Sequence, residues 1–276
     1  MKVKQVFLIG DPVEHSLSPV MQNAAFHACG LDWEYALRAT PRAQLREVVA
    51  SLRADDCVGA NVTVPHKEAV IEFLDDVSER ARKIGAVNTI VPRDGKLFGD
   101  NTDMYGFTQA LREASVELRG ARAVILGAGG AARAAVFALA EQGASRVAIV
   151  NRTEARAKKL ADDVRAHFPN LAIDVNSIAM IATAHLIVNA TSVGMSPHEN
   201  ESPMQRSFPR GAAVIDLVYR PLQTRFLRDA QRAGARPIGG VSMLVHQGAA
   251  AFELWTGRAA PVEVMLDAIV KALRSL

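Results

Sequence analysis

Short apolar runs and amphipathic stretches alternate along the first hundred residues, which indicates strands separated by helices. The apolar runs predict strands at 6–9, 33–37, 59–63, 88–91 and 96–98. The amphipathic stretches predict helices at 19–29, 43–52, 67–73, 77–84 and 104–114. Ser18, followed by Pro19, is expected to cap the first of these helices. Arg93-Asp94-Gly95 lies between the last two strands and predicts a hairpin turn.

The alternation becomes regular after residue 121, which is typical of a parallel sheet with helical connections. Strands are predicted there at 123–126, 146–150, 186–189 and 213–217. Two helices, at 241–256 and 261–276, have no strand partner of their own, so we expect them to return to the first unit. The pattern therefore predicts an α/β protein with two domains, and its boundaries are 1–103, 104–239 and, for the returning helices, 240–276.

Composition narrows the class of protein. Of 276 residues, 49% are apolar, which is enough for a substantial core, and the formal charge of +3 is spread among acidic and apolar neighbours. We therefore expect no nucleic-acid surface. Cys29 and Cys57 lack metal-ligand spacing and are expected to be reduced core residues, with no metal site. The first strand starts at once and no apolar stretch reaches membrane length, so we expect a soluble cytoplasmic protein.

A glycine-rich segment follows the strand predicted at 123–126. Gly127-Ala128-Gly129-Gly130-Ala131-Ala132 has the pattern Gly-x-Gly-x-x-Ala between a strand and a helix. In that context Gly127 makes the tight turn, Gly129 lets a pyrophosphate approach, and Ala132 packs the helix on the strand. The helix N-terminus supplies free N–H groups for phosphate oxygens. The segment predicts a dinucleotide site in a Rossmann-type, doubly wound domain; the alternative is a glycine-tolerant turn of any such fold.

The residues after the next strand indicate which dinucleotide binds. An NAD site has Asp or Glu there, because its carboxylate accepts a hydrogen bond from the ribose 2′-hydroxyl. This chain has Asn151, Arg152 and Thr153, and Arg156 lies one helical turn further on. A guanidinium beside small polar side chains suits a 2′-phosphate. The sequence therefore predicts NADP as the cofactor, against the alternative that Arg152 is an ordinary surface charge.

Three polar clusters stand at predicted strand-to-helix junctions of the first domain, where α/β proteins bind ligands. They contain Ser16 and Ser18; Asn61, Thr63 and Lys67; and Asn88 and Asp103. Lys67 is predicted on the first turn of a helix, where the dipole is unfavourable for a cation, which favours a functional role. Asp103 alone also fits an N-cap, Asn88 fits a turn, and we expect His66 to be an exposed or satisfied histidine and not a catalyst. Together the clusters suit a small polyhydroxylated substrate.

The chain resembles the shikimate dehydrogenase family from its first strand to its last helix. The resemblance is carried by Ser16-Leu17-Ser18-Pro19, Asn61-Val62-Thr63-Val64-Pro65-x-Lys67, Gly85-Ala86-Val87-Asn88-Thr89, Asn101-Thr102-Asp103, Gly127-Ala128-Gly129-Gly130-Ala131, Asn151-Arg152-Thr153, Asn189-Ala190-Thr191-Ser192-Val193-Gly194-Met195 and Met243-Leu244-x-x-Gln247-Gly248. It implies reversible hydride transfer between NADPH and 3-dehydroshikimate, giving shikimate, within aromatic amino-acid and chorismate biosynthesis.

The resemblance also implies a role for particular residues. Lys67 and Asp103 would be the catalytic pair, in a substrate domain that the C-terminal helices close. The substrate would be bound by Ser16, Ser18, Asn61, Thr63, Lys67, Asn88, Asp103 and Gln247, with Tyr219 near its carboxylate. The cofactor would be bound by Gly127, Ala128, Gly129, Gly130, Ala131, Asn151, Arg152, Thr153, Arg156, Thr191, Ser192, Met195 and Gly240.

Some positions depart from the commonest family pattern. Met21-Gln22-Asn23 stands where many relatives have His-Asn, His66 where Phe is frequent, and Met104-Tyr105 where Gly is common. Quinate-using relatives share such features, so quinate as substrate stays an open alternative. NAD as cofactor is a further alternative, which Arg152 disfavours. A non-catalytic regulator that binds NADP or a ring acid is a second alternative, which the presence of both Lys67 and Asp103 disfavours. The expected assembly is a monomer or a homodimer.

Overall fold

Strands and helices alternate through the whole chain, as the apolar runs predict. The computed structural model describes residues 2–205 and 208–275, so Leu276, the predicted end of the last helix, lies outside the described residues. The chain divides into unit 1, which comprises Met1–Gly106 and Leu244–Leu276, and unit 2, which comprises Phe107–Met243. The predicted α/β class is confirmed, because each unit is built on a sheet with helical connections.

The elements have the following bounds. The strands are β1 (Lys4–Gly10), β2 (Trp33–Ala39), β3 (Cys57–Val62), β4 (Asp76–Val77), β5 (Thr89–Arg93), β6 (Lys96–Asp100), β7 (Arg122–Leu126), β8 (Arg146–Val150), β9 (Ala172–Val175), β10 (Leu186–Asn189), β11 (Ala213–Asp216) and β12 (Arg236–Ile238). The helices are α1 (Ser18–Ala28), α2 (Leu45–Ser51), α3 (Glu79–Ile84), α4 (Asp103–Glu113), α5 (Gly130–Glu141), α6 (Glu154–His167), α7 (Arg225–Arg232), α8 (Val241–Thr256) and α9 (Val262–Arg274).

Unit 1 contains a mixed sheet with the strand order β2-β1-β3-β5-β6-β4. β1, β2 and β3 are parallel, so their carboxyl ends lie at one edge, and β5 runs antiparallel to both β3 and β6. The predicted hairpin joins β5 to β6, with positive φ angles of 49° at Asp94 and 72° at Gly95. β4 was not predicted, because two residues are too short to show a strand period.

The C-terminal helices return to unit 1 as predicted. α9 packs against α1, and the Trp255 indole of α8 donates to the Ile90 carbonyl of β5 at 3.0 Å. This packing requires glycine at position 59, because a Cβ there would lie 2.4 Å from the Trp255 ring. A Cβ on Gly248 would lie 2.3 Å from Met21 Cε, at the flexible end of that side chain, which can shift. None of the helices at 2–205 and 208–275 combines the length and the apolar character that crossing a lipid bilayer requires.

Unit 2 contains a six-stranded parallel sheet with the order β12-β11-β10-β7-β8-β9. The four predicted strands are its central members. β9 and β12 were not predicted from the apolar pattern: β9 is four residues long with a central Asp174, and β12 contains Pro237. Both are edge strands, where proline and polar side chains are tolerated.

Two local predictions are wrong. Ser18 does not cap α1 but is its first residue, and its N–H donates to Ser16 Oγ at 3.2 Å. The helix predicted at 67–73 is a short 3₁₀ helix over Ala69–Phe73, and Lys67 lies in the turn before it. The Lys67 carbonyl accepts from Val87 N–H at 2.8 Å, and this bond holds the Lys67 backbone in the loop.

Candidate active site

Polar side chains gather at the carboxyl ends of β1 and β3, which are neighbouring parallel strands. Ser16 and Ser18 follow β1, and the Ser16 hydroxyl donates to the Ser18 hydroxyl at 3.2 Å. Thr63 directly follows β3, and its N–H donates to the Ile9 carbonyl of β1 at 2.8 Å. A Cβ on Gly10 would lie 2.3 Å from Thr63 Cγ2, so glycine at the end of β1 leaves room for this side chain.

Lys67 and Asp103 form an ion pair beside these strand ends. Lys67 Nζ lies 2.6 Å from Asp103 Oδ2, and the side chains are only 13% and 5% exposed. Asp103 is the first residue of α4, where the helix dipole stabilises a carboxylate. Its other oxygen accepts from Asn88 Nδ2 at 2.9 Å. The Asp103 carboxylate is therefore held from two sides and stays next to the lysine ammonium.

Asn88 joins several of the predicted residues. Its amide nitrogen contacts Asp103 Oδ1 and Thr102 Oγ1, each at 2.9 Å, and Gln247 Oε1 of α8 at 3.3 Å. Its amide oxygen accepts from Thr102 N–H at 2.7 Å. These bonds fix the side-chain amide, and they bring a residue of the C-terminal helices to the start of β5.

Asn61 completes this network from the neighbouring strand. The Asn61 amide nitrogen donates to the Asn88 carbonyl at 2.9 Å and to Thr89 Oγ1 at 3.1 Å, and its oxygen accepts from Tyr35 Oη at 2.9 Å. The structure thus links Asn61, Asn88, Asp103, Lys67 and Gln247 through hydrogen bonds. Tyr35 was missed by sequence reasoning, because its position within β2 gives no polar signal.

His66 directly precedes Lys67 in the chain and is fully buried. Its Nε2 donates to the Thr40 carbonyl at 2.6 Å, which ties the turn that carries Lys67 to the end of β2. Its Nδ1 is one of two buried side-chain polar atoms, with Gln22 Oε1, that have no hydrogen-bond partner among the described residues. Of the two expected states, exposed is wrong, and the histidine is satisfied at one of its two ring nitrogens.

The glycine segment of unit 2 uses its glycines in different ways. Gly127 has a φ of 117°, and a Cβ there would lie 2.9 Å from the Ala190 carbonyl oxygen. Gly129 has ordinary extended angles of φ −96° and ψ −171°. A Cβ on Gly129 would meet, among the described residues, nothing nearer than Arg156 Nη2 at 4.0 Å. The fold therefore requires glycine at 127, whereas glycine at 129 keeps open the space before α5, which begins at Gly130 and contains Ala131; Ala128 is buried.

The loop between β8 and α6 carries Arg152 and Thr153, and both are exposed, as is Arg156 on the first turn of α6. Asn151 braces this loop: its N–H donates to Asn176 Oδ1 at 3.0 Å and its amide nitrogen to the Thr153 carbonyl at 2.9 Å. Asn176 was missed by sequence reasoning, although its φ of 52° explains why asparagine stands there.

The segment after β10 is shaped by a side chain of the strand itself. Asn189 Oδ1 accepts from both the N–H and the hydroxyl of Thr191, at 3.1 and 2.7 Å. Ser192, which is exposed, and Met195 follow in the same segment. Asn189 also donates to Asp216 Oδ1 at 2.8 Å, at the end of the neighbouring β11.

Asp216 is a buried carboxyl group that sequence reasoning missed, because an acidic residue at a strand end gives no distinctive signal. Burial raises its pKa from 3.8 to about 6, although hydrogen bonds from Thr224, Val218 and Asn189 favour the charged form. A Cβ on Gly240 would lie 2.8 Å from the Asp216 carbonyl oxygen, so glycine is required at that position. Tyr219 lies in the same unit, three residues after Asp216.

Comparisons with known proteins match the chain to one family along most of its length. Family models match in succession: the shikimate dehydrogenase substrate binding domain at residues 8–90, shikimate / quinate 5-dehydrogenase at 109–218 and the shikimate 5′-dehydrogenase C-terminal domain at 240–270. The NADP(+) shikimate dehydrogenase of Methanopyrus kandleri is 48% identical over 277 residues, which cover 98% of this chain and 96% of the relative.

Solved structures show the same similarity. The shikimate 5-dehydrogenase of Thermus thermophilus, in complex with NADP(H) and shikimate, has a TM-score of 0.88 at 42% identity, over 98% of this chain and 100% of its own. The quinate dehydrogenase of Corynebacterium glutamicum, in complex with NAD, has a TM-score of 0.88 at 31% identity, over 97% of this chain and 99% of its own.

Proposed function

The chain belongs to the shikimate dehydrogenase family, and from this premise we propose that it catalyses the reversible NADP-dependent reduction of 3-dehydroshikimate to shikimate. The observation that carries the proposal is the buried ion pair between Lys67 and Asp103, held by Asn88. This pair offers a mobile proton within a network of amide and hydroxyl groups. Such groups are what a small ring with several hydroxyls needs once water is excluded.

The substrate is bound by residues of unit 1. Ser16 and Ser18 present hydroxyls at the end of β1, Thr63 presents one at the end of β3, and Asn61, Asn88 and Gln247 present amides. Each of these groups both donates and accepts or can rotate to do so, which suits substrate hydroxyls and a carboxylate. Tyr219 of unit 2 is a further proposed ligand for the carboxylate.

The chain's own residues supply the proton transfer. When bound, NADPH supplies the hydride that the ring carbonyl carbon accepts, and negative charge develops on the carbonyl oxygen. The Lys67 ammonium donates a proton to that oxygen, which gives the hydroxyl of shikimate. In the oxidative direction the Lys67 amine accepts the hydroxyl proton. Asp103, 2.6 Å away, keeps the lysine side chain oriented throughout.

The residues of unit 2 fit NADP. The open space at Gly129, next to the first N–H groups of α5, suits a pyrophosphate. Exposed Arg152 and Arg156 with Thr153 suit the 2′-phosphate, and Asn151 stands where a carboxylate would repel it. The remaining proposed cofactor residues are Gly127, Ala128, Gly130, Ala131, Thr191, Ser192, Met195 and Gly240.

Quinate as substrate is a second candidate, favoured by the similarity to the Corynebacterium glutamicum quinate dehydrogenase. The decisive experiment measures NADPH or NADH formation by the purified protein with shikimate or quinate and with NADP or NAD. We expect fast turnover with shikimate and NADP. Preference for quinate would replace the substrate proposal. If folded protein that binds NADP shows no activity in any of the four combinations, the alternative of a non-catalytic regulator is favoured.

We propose a monomer or a homodimer, which light scattering of the purified protein distinguishes from larger assemblies. We also propose that the chain works in the cytoplasm, where a reducing milieu matches its free Cys29 and Cys57. Fractionation of source cells, with NADP-dependent shikimate oxidation as the readout, tests the location.

A further inference from the structure

A single buried carboxylate connects several segments of unit 2. Asp216 is the last residue of β11 and is fully buried. Its Oδ1 accepts from Asn189 Nδ2 at 2.8 Å and from Val218 N–H at 3.0 Å, and its Oδ2 accepts from the Thr224 hydroxyl at 2.5 Å. Burial of a carboxylate is costly, so its presence in this position requires compensating bonds.

The Oδ1 side leads to the proposed cofactor segment. Asn189, which Asp216 orients, uses its own oxygen to accept from Thr191 N–H and the Thr191 hydroxyl, and its amide nitrogen also contacts the Val193 carbonyl at 3.1 Å. Thr191 Cγ2 in turn lies 3.2 Å from where a Gly127 Cβ would be. The Asp216 carboxylate thus fixes the Asn189 side-chain amide. The oxygen and nitrogen of that amide in turn hold residues 191–193, next to the glycine turn.

The Oδ2 atom of Asp216 contacts a different segment, the start of α7. Thr224 is the N-cap of α7, where its hydroxyl accepts from Leu227 N–H at 3.3 Å, and its bond to Asp216 closes the segment 217–223. The two carboxylate oxygens therefore serve different parts of the unit. Among the described residues, no hydrogen bond joins Thr224 to Asn189, so a substitution can remove the partner of one carboxylate oxygen and leave that of the other.

We propose that Asp216 is a positioning residue for NADP binding, acting through Asn189 on the segment 191–193. The inference rests on the proposed cofactor role of this segment. Asp216 touches neither substrate nor cofactor in this scheme; it holds the amide that shapes their binding segment. This role explains why an acidic side chain stands at the buried carboxyl end of β11, where an apolar residue would cost less free energy to bury.

The test compares the parent enzyme with Asp216→Ala, Asp216→Asn and Thr224→Val, all checked for folding by circular dichroism. The readouts are the Kd of NADP from protein fluorescence, the KM of NADP and kcat at saturating NADP. Asp216→Ala should raise both the Kd and the KM of NADP by about tenfold, the effect of one lost buried hydrogen-bond partner, while kcat stays within about threefold.

The other variants separate positioning from general stability. Asp216→Asn should restore NADP affinity to within about threefold, because its oxygen still accepts from Asn189 and Val218 while its NH₂ donates to the Thr224 hydroxyl. Thr224→Val removes the Oδ2 bond and the N-cap bond from Leu227 N–H but leaves both Oδ1 bonds in place, so the Kd of NADP should stay within about twofold of the parent value. An equal weakening by Thr224→Val and Asp216→Ala would overturn the proposal, as would parent-like affinity in folded Asp216→Ala.

A second comparison decides the question if Asp216→Ala does not fold. Asn189→Ala breaks the same route, so it should weaken NADP binding by about tenfold where Thr224→Val does not. Equal Kd values for these two variants would overturn the proposal. Because the Kd of NADP needs no turnover, the outcome is independent of the substrate. A parent protein that binds no NADP would instead refute the proposed function.

Discussion

Lys67 Nζ lies 2.6 Å from Asp103 Oδ2, and both side chains are largely withdrawn from solvent. A second lysine ion pair in the same unit, Lys83 with Glu79, has the same N–O distance of 2.6 Å but is exposed and spans one helical turn. The two pairs therefore differ in environment and not in separation. The first can hold a proton at a water-poor site, whereas the second belongs to the solvated face of α3.

The first prediction uses this contrast. Lys67→Ala should lower kcat by about two to four orders of magnitude, the range for loss of a general acid, while shikimate binding measured by calorimetry changes little. It should also destabilise the fold by about 3 kcal/mol, because Asp103 loses its buried counterion. Lys83→Ala should leave kcat unchanged and cost less than about 1 kcal/mol. Near-parent turnover of Lys67→Ala would remove this lysine from the mechanism.

The second prediction separates two glycines of one turn. Gly129→Ala should fold with parent stability or better, because its backbone angles suit alanine and its Cβ meets open space. The same substitution should weaken NADP binding by about tenfold or more, since the methyl group occupies the pyrophosphate space. Chemical denaturation and NADP titration of the same preparation give both quantities. Parent-like NADP affinity would contradict the assignment of this turn.

Gly127→Ala is the matched control. Its φ of 117° and the Ala190 oxygen at 2.9 Å place a methyl group in conflict with the fold itself. We expect a loss of unfolding free energy of about 1–3 kcal/mol, whatever the cofactor. A variant as stable as the parent would show that this turn adjusts more freely than its geometry indicates.

The third prediction concerns cofactor choice. Arg152→Ala should raise the Kd of NADP by about tenfold or more and leave that of NAD within about threefold, because only NADP carries the 2′-phosphate. Lys158→Ala removes another exposed cation from α6 and should change neither value by more than about twofold. Equal weakening of both dinucleotides by Arg152→Ala would refute the phosphate assignment.

Much of the fold could be predicted because apolar runs mark the central strands of both sheets. β4, β9 and β12 could not, since they are short edge elements whose pairing depends on neighbours distant in the chain. Lys67 shows a subtler limit: its helical period was apparent, yet the bond from Val87 N–H to its carbonyl decided the local conformation. Tertiary contacts override propensity wherever a loop is pinned in this way.

The chemistry of the candidate site could be predicted by residue type, but its connectivity could not. Asn88 and Gln247 are 159 positions apart and meet at 3.3 Å only because α8 returns to unit 1. Asp216 and Asn189 end adjacent strands, and nothing in either motif indicates their bond. Local sequence patterns identify polar clusters. Their burial and their hydrogen-bond partners depend on the folded chain and cannot be predicted from those patterns.

The last prediction is a pH dependence of stability. Because burial raises the Asp216 pKa to about 6, the folded state retains this proton over a range where the unfolded state, with a pKa near 3.8, has released it. This group's contribution to stability is therefore greatest below pH 4, declines as pH rises to 6 and is constant above that. The decline amounts to about 3 kcal/mol at most, from two pKa units.

Asp216→Asn isolates this effect, since an amide does not titrate and the other carboxyl groups are common to both proteins. The unfolding free energy of the parent minus that of Asp216→Asn should fall between pH 4 and pH 6 and then level off, as measured by urea denaturation at half-unit pH intervals. A difference that rises over this range would mean that the three hydrogen bonds to the carboxylate outweigh its burial. Asp216 would then be a net anchor of the ionised form, with its pKa lowered and not raised.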